Sequence, residues 1–203
     1  MSRPRLLLTG FGPFPGAARN PTATIVDRVA RRADIARRFD VVTNVFPTTW
    51  DAIAEVPDLL DEVRPEAAVL LGFARRARTV RVETRARNRV AAPHVDANGC
   101  HGPPTLAANG LERLAARWPA TELVRCLSDH GLRAEASDDA GGYLCNALFH
   151  RVLETSRGRP VVFLHLPPTR DLVPTSSFGL ADLEAAVRVA IATLPRALRQ
   201  RSA

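Results

Sequence analysis

Apolar and polar positions along this chain repeat in two periods, and the switches between them mark out its elements. Arg5 to Thr9 is a short apolar run that stops at Gly10 and reads as a first strand. A loop rich in Gly and Pro follows, from Gly10 to Gly16. Asn20-Pro21 reads as a helix start, with Asn at the N-cap and Pro at the first helical position. Ile25, Val26, Val29 and Ala33 then lie on one helical face. Phe39 to Phe46 alternates as a second strand. A helix ending near Arg64 carries Ile53, Val56, Leu60 and Val63, and Pro57 kinks or restarts it. Ala67 to Leu71 is continuously apolar, as in a strand covered on both faces.

Thr79 to Glu83 alternates, with Val80 and Val82 on one face. Asn88 to Thr105 is polar and loop-like, with His94, Asp96 and Asn98-Gly99. Thr121 is expected to cap a helix that ends at His130-Gly131. Arg133 to Ser137 reads as a short strand, Asp138 to Gly142 as a turn, and Tyr143 to about Ser156 as a helix with Leu148, Phe149, Val152 and Leu153 inward. Pro160 to Leu166 is an apolar strand stopped by Pro167-Pro168. Leu180, Leu183, Val187, Ile191 and Leu194 form the stripe of a final amphipathic helix. Strands alternating with helices predict a three-layer α/β/α fold with a largely parallel twisted sheet, one domain over 1–203.

Composition narrows the function classes. With 46% hydrophobic and 24% charged residues in 203, the chain is globular rather than disordered. No apolar run approaches the roughly 20 residues that span a bilayer. Only three leucines separate Arg5 from Thr9, too few for a signal-peptide core, so a cytoplasmic location is expected. The net charge is +7 and all 28 basic residues are arginine, which excludes Schiff-base, P-loop and kinase-type lysine chemistry. The arginines are dispersed, with one denser stretch from Arg75 to Arg89 and few aromatics among them to stack on bases. A solvated surface explains them more simply than a nucleic-acid partner. Cys100, Cys126 and Cys145 are spaced too irregularly for a disulfide framework or a zinc site, and adjacent Cys100-His101 is poor geometry for shared ligation. No metal or cofactor is expected.

The remaining chemistry concentrates late in the chain. Cys145 falls in the first turn of a helix, where the positive helix end and free backbone N–H groups favour a thiolate and would receive an oxyanion. The next strand ends Phe163-Leu164-His165-Leu166-Pro167. If the strands before and after this helix are parallel neighbours, Cys145 and His165 emerge at one sheet edge, where α/β folds bind ligands. A Cys–His pair activates a thiolate nucleophile. A carboxylate would orient the imidazole: Glu83, at a strand end, is the best-placed acid, with Asp138 and Asp139 as competitors more easily explained as caps. A lone helical Cys and a strand His are also common as plain core residues.

Four stretches resemble the pyroglutamyl peptidase I (pyrrolidone-carboxylate peptidase) family of cysteine peptidases. They are Leu8-Thr9-Gly10-Phe11-Gly12-Pro13-Phe14 with Asn20-Pro21-Thr22; Gly72 through Thr79-Val80-Arg81-Val82-Glu83 to Asn88; Ser137-Asp138-Asp139-Ala140-Gly141-Gly142-Tyr143-Leu144-Cys145-Asn146; and Val162-Phe163-Leu164-His165-Leu166-Pro167. The resemblance implies an α/β cysteine peptidase removing N-terminal pyroglutamate through a thioester. Cys145 would attack, His165 shuttle the proton and Glu83 hold the imidazole. Phe11, Phe14, Tyr143 and Leu144 would wall the lactam ring. Phe73-Ala74-Arg75-Arg76-Ala77 departs from the Gln-Ala-Gly-Gly-Arg of many bacterial members, so Phe73 stands where some of them contact substrate. Thr84-Arg85 departs from the usual basic residue after the glutamate. Arginines near the mouth would favour acidic groups beyond the pyroglutamyl position. The implied partners are pyroglutamyl peptides, with neither nucleic acid nor membrane, and a homo-oligomer remains open. Two alternatives stand beside this reading: a related cysteine amidohydrolase acting on another small amide or lactam, and a basic, non-catalytic binding protein on the same scaffold.

Overall fold

A computed structural model of the chain describes residues 3–14, 17–91 and 95–200, with side chains followed to Leu194. His94, Pro15 and Gly16, placed in loops by the sequence, lie outside the described residues. In chain order the elements are β1 (Arg5–Phe11), α1 (Pro21–Ala30), α2 (Ala33–Ala36), β2 (Asp40–Phe46), α3 (Trp50–Ala54), α4 (Val56–Val63) and β3 (Ala67–Phe73). Then come β4 (Val80–Glu83), β5 (Arg85–Arg87), β6 (Arg113–Ala115), α5 (Ala120–Asp129), β7 (Ala134–Ser137), α6 (Leu144–Thr155), β8 (Val161–Leu166) and α7 (Leu180–Gln200).

The main sheet has the order β2-β1-β3-β8-β4-β7. β1, β2, β3 and β8 run parallel, while β4 pairs antiparallel with β8 and parallel with β7. The fold class is therefore as expected: a largely parallel sheet between helical layers. Strand parity divides the core in two. Leu6, Leu8, Val69, Leu71, Val80, Val82, Val162 and Leu164 pack with residues of α1, α5 and α7. Leu7, Leu70, Val161 and Phe163 pack with residues of α3, α4 and α6. Burial on both faces is what the unbroken apolar runs of β1, β3 and β8 require.

Local signals explain several boundaries. Asn20 caps α1 by accepting from the Thr22 N–H at 3.1 Å, with Pro21 in the first turn. Pro57 restarts the helix, separating α3 from α4 after Glu55. Gly131, at φ +74°, follows the α5 C-cap His130 as expected.

The structure corrects two expectations and adds a pair of strands. Thr121 is not a cap: α5 begins one residue earlier, after Pro119, with no side-chain cap. The strands flanking α6 are neither neighbours nor parallel, because β4 lies between β7 and β8 and runs against β8. The physical reason is the short Ala74–Thr79 link, which cannot hold the dozen residues of a parallel crossover and so turns the chain back over the end of β8. Finally, β5 and β6 pair as a small antiparallel ribbon that their short, arginine-rich stretches did not signal.

The Asn20 cap also joins α1 to the preceding loop, since its Nδ2 donates to the Gly12 carbonyl at 3.0 Å. Replacing Asn20 with Ala is expected to cost about 1–2 kcal/mol, read as a lower urea midpoint at unchanged slope.

Candidate active site

Parity selects the face on which the site is built. His165 shares the parity of Phe163 and so points to the side that α6 covers. Arg81 and Glu83 alternate with Val80 and Val82, which fixes them on that same side. The antiparallel register sets Arg81 directly opposite His165 and Glu83 opposite Phe163. Glu83 thus reaches His165 diagonally, and its Oε1 lies 2.8 Å from the ring Nδ1. Glu83 is 1% exposed and His165 7%. The second Glu83 oxygen, Oε2, has no hydrogen-bond partner among the described residues. Compensation of this buried charge therefore falls to His165 and to Arg81, whose Nε lies 3.5 Å from Oε1.

Gly72 makes room for the ring. It pairs with His165 in the β3–β8 register, and a Cβ there would meet His165 Cδ2 at 2.8 Å and the Phe163 ring at 2.7 Å. Any side chain at 72 would force the imidazole aside.

Cys145 is the second residue of α6, half-buried, and its interaction with the His165 ring is among the causes that raise the ring's pKa. Burial alone pushes the His165 pKa down. Hydrogen bonding to Cys145 and Glu83, with their negative charge, outweighs burial and raises it to about 9. The α6 N-cap, Tyr143, makes no side-chain cap bond, and the first N–H groups of a helix have no partner within it.

The turn before α6 is held from several directions. Asn146 accepts from the Arg87 N–H at 2.8 Å and donates to the Arg87 and Arg89 carbonyls at 2.8 and 3.2 Å. Ala91 N–H donates to the Gly142 carbonyl at 2.8 Å, an approach so close that a Cβ on Gly142 would lie 2.5 Å from the Ala91 methyl. Arg81 adds donors to the Ser137 hydroxyl and, at 2.8 Å, to the Asp139 carbonyl. Asp139 accepts from the Gly141 N–H and pairs with Arg87 at 3.5 Å. Of the three candidate acids, Glu83 is the one that meets His165.

A cleft of about 1100 Å³ opens over Cys145. Phe11, Phe14, Phe73, Tyr143 and Leu144, all singled out in the sequence, line it. Glu83 and His165, both buried, are not among its lining residues. Thr48 lines it too and was not anticipated; its hydroxyl ties the Pro13 carbonyl at 3.1 Å. Phe11 packs on Phe46 and Tyr143 stands edge-on to Trp50. Cys100 is exposed in a loop and Cys126 lies on α5 against the opposite core face. Among the described residues no His/Cys/Asp/Glu cluster is arranged to hold a metal. No described helix is long and apolar enough to cross a membrane.

Asp96, read only as part of a polar loop, has a structural role. Its buried carboxylate accepts from the backbone N–H groups of Trp50, Asn98 and Cys100, each at 2.9 Å. The loop it anchors supplies the Val95 carbonyl that accepts from the Tyr143 hydroxyl at 2.8 Å. Burial raises the Asp96 pKa, but these donors outweigh it and hold it below 3.8. A sequence cue existed: Asp followed by Asn-Gly is the composition of a turn in which the carboxylate accepts from nearby N–H groups. Asp96→Ala is expected to cost on the order of 2–3 kcal/mol at pH 7. The contribution is present above the ordinary carboxylate range and fades as pH falls through the lowered folded value. Urea unfolding from pH 7 to pH 3 should therefore show the variant and the parent converging.

Comparison with known proteins identifies relatives of the whole chain. A family model described as "Pyroglutamyl peptidase" matches residues 4–196. The pyrrolidone-carboxylate peptidase of Gloeobacter violaceus is 32% identical over 80% of this chain and 81% of its own length. That of Thermococcus litoralis is 31% identical over 87% and 82%. The crystal structure of the Thermus thermophilus pyrrolidone carboxyl peptidase superposes with a TM-score of 0.83 at 29% identity, covering 92% of this chain and 98% of that one. With a family match across nearly the whole length and relatives above 30% identity, the chain belongs to the pyroglutamyl peptidase family.

Proposed function

We propose that this protein cleaves N-terminal pyroglutamate from peptides, with Cys145 as nucleophile, His165 as acid and base, and Glu83 as the group that orients the imidazole. The observation that carries the reading is the buried Glu83–His165 contact beside Cys145 at an aromatic cleft. Glu83 occupies Nδ1, so Nε2 is the ring nitrogen turned to the sulfur. With its pKa raised to about 9, His165 is held as the imidazolium at neutral pH and is ready to give up a proton.

The Cys145 sulfur adds to the pyroglutamyl carbonyl carbon, and the oxygen takes up the negative charge. In this reading the N–H groups at the start of α6 receive it. As the C–N bond breaks, the imidazolium passes its proton to the departing amine and a thioester remains. Water then attacks that thioester, His165 accepts its proton, and free pyroglutamate leaves as the sulfur is released. The lactam ring is flat and uncharged, which suits the walls of Phe11, Phe14, Tyr143 and Leu144. Phe73 adds apolar surface to the same cleft. Arg81 acts as a positioning residue, linking Glu83 to the turn that leads into the nucleophile helix.

Hydrolysis of a pyroglutamyl-coumarylamide by reduced protein tests the reading; folded, reduced protein without turnover would overturn it. Cys145→Ser should lower the rate by about three orders of magnitude or more with little change in thermal stability. His165→Ala should be almost as damaging, and Glu83→Gln less so, because it orients rather than reacts.

The pH dependence has a definite sign. Because the folded His165 pKa is raised above 6.5, the imidazolium is fully present below that value and is lost as pH rises through about 9. Acylation should fall off over the same range. Replacing the thiol in Cys145→Ser should weaken the interactions that raise the His165 pKa and bring it down, which an NMR titration of the ring would register directly.

A further inference from the structure

The cleft is larger than a five-membered ring needs: about 1100 Å³ is the volume of a pocket for a drug-sized ligand. Its course follows the sheet order. Phe11 closes β1 at one end, Phe73 closes β3, His165 lies near the end of β8, and Thr79, Arg81 and Glu135 mark the β4/β7 end. With the lactam held at the aromatic end and its carbonyl at Cys145, the rest of a peptide must run toward β4 and β7.

The 74–79 link passes over this second half. Its start is fixed by the Ala74 N–H, which donates to the Leu166 carbonyl at 2.9 Å. Arg75, Arg76 and Arg78 all line the cleft, all are exposed, and none has an ion pair or side-chain hydrogen bond among the described residues. The acidic groups facing them are Glu135, Asp138 and Asp139. Glu135 accepts from the Thr79 hydroxyl at 2.9 Å, and Asp139 is held by Arg87 and the Gly141 N–H. Three uncommitted guanidinium groups thus outnumber the acidic side chain, Asp138, left opposite them. Among the described residues no acidic side chain pairs with this charge.

We propose that Arg75, Arg76 and Arg78 form a subsite for carboxylate side chains on the amine side of the scissile bond, selecting pyroglutamyl peptides that continue with Asp or Glu. The inference rests on the peptidase reading above. An extended chain advances about 3.3 Å per residue, so the first two residues after the pyroglutamyl group sweep beneath the link. A guanidinium binds carboxylate with paired N–H donors, and exposed pairs contribute modestly and are screened by salt.

The test compares kcat/KM for pyroglutamyl-Glu and pyroglutamyl-Asp peptides with their Gln and Asn isosteres. Each acidic peptide is expected to be preferred roughly fivefold at low ionic strength, with the ratio falling toward one at 1 M salt. In a combined Arg75→Gln, Arg76→Gln, Arg78→Gln variant the ratio should collapse at every salt concentration. Turnover of all four peptides without charge discrimination, or a ratio unchanged in the variant, overturns the subsite and leaves the peptidase reading standing. Failure to cleave any of them overturns the peptidase reading, and the subsite with it.

Discussion

A carboxylate 1% exposed, held 2.8 Å from an imidazole, is the contact on which the rest of this site depends. Glu83 has no access to water, and one of its oxygens lacks a partner among the described residues, so its charge has to be met locally. His165 meets it, and in doing so fixes both its own tautomer and the direction of its free nitrogen. The two residues come from strands that run in opposite directions. The turn-back of β4 over the end of β8 is therefore the topological event that creates the pair. Gly72, on the other neighbour of β8, keeps the space the ring occupies.

Around that pair the molecule converts loops into rigid positions. Asn146 lies next to Cys145, and its amide ties the chain on both sides of Asn88 to the helix start. Asp96 folds a polar loop around a single carboxylate and so places the acceptor for Tyr143. Arg81 spans from Glu83 to the Asp139 carbonyl and thereby joins the acid to the turn before α6. In the proposed reaction these residues touch no reacting atom. Their work is to hold a sulfur and a ring nitrogen in register, because small displacements at a reacting centre carry large rate penalties.

Much of this was legible in the sequence, for identifiable reasons. The apolar runs at 5–9, 67–71 and 160–166 named the central strands, since burial on both faces leaves no polar position to confuse the period. Val80 and Val82 fixed the parity that turns Glu83 to the other face. The pairing of β7 with β8 was misjudged because a strand–helix–strand segment suggests a parallel neighbour by default. The contrary cue, a link too short for a crossover between β3 and β4, lies elsewhere in the chain. Cys145 and His165 lie on one side of the sheet nonetheless, because α6 covers the face to which His165 points rather than because of adjacent strand ends. The roles of Asn146 and Gly72, and the reach of Asp96 to Trp50, depend on contacts between distant segments, which no local pattern encodes.

The all-arginine basic complement acquires a physical meaning from the same contacts. A lysine ammonium is one point charge, whereas a guanidinium offers several donors in a fixed plane. Arg5 joins Asp40 at 2.9 Å to the Val63 carbonyl at 2.9 Å, tying the start of β1 to β2 and to the end of α4. Arg159 reaches the Ser156 and Pro65 carbonyls at 2.8 and 2.7 Å, where β8 and β3 begin. Arg81 serves three acceptors beside His165. Such arginines act as clamps between chain segments, and the net charge of +7 is partly a by-product of them. Other arginines stay uncommitted as well, and what sets those of the 74–79 link apart is their position over the cleft, which gives their charge a chemical direction.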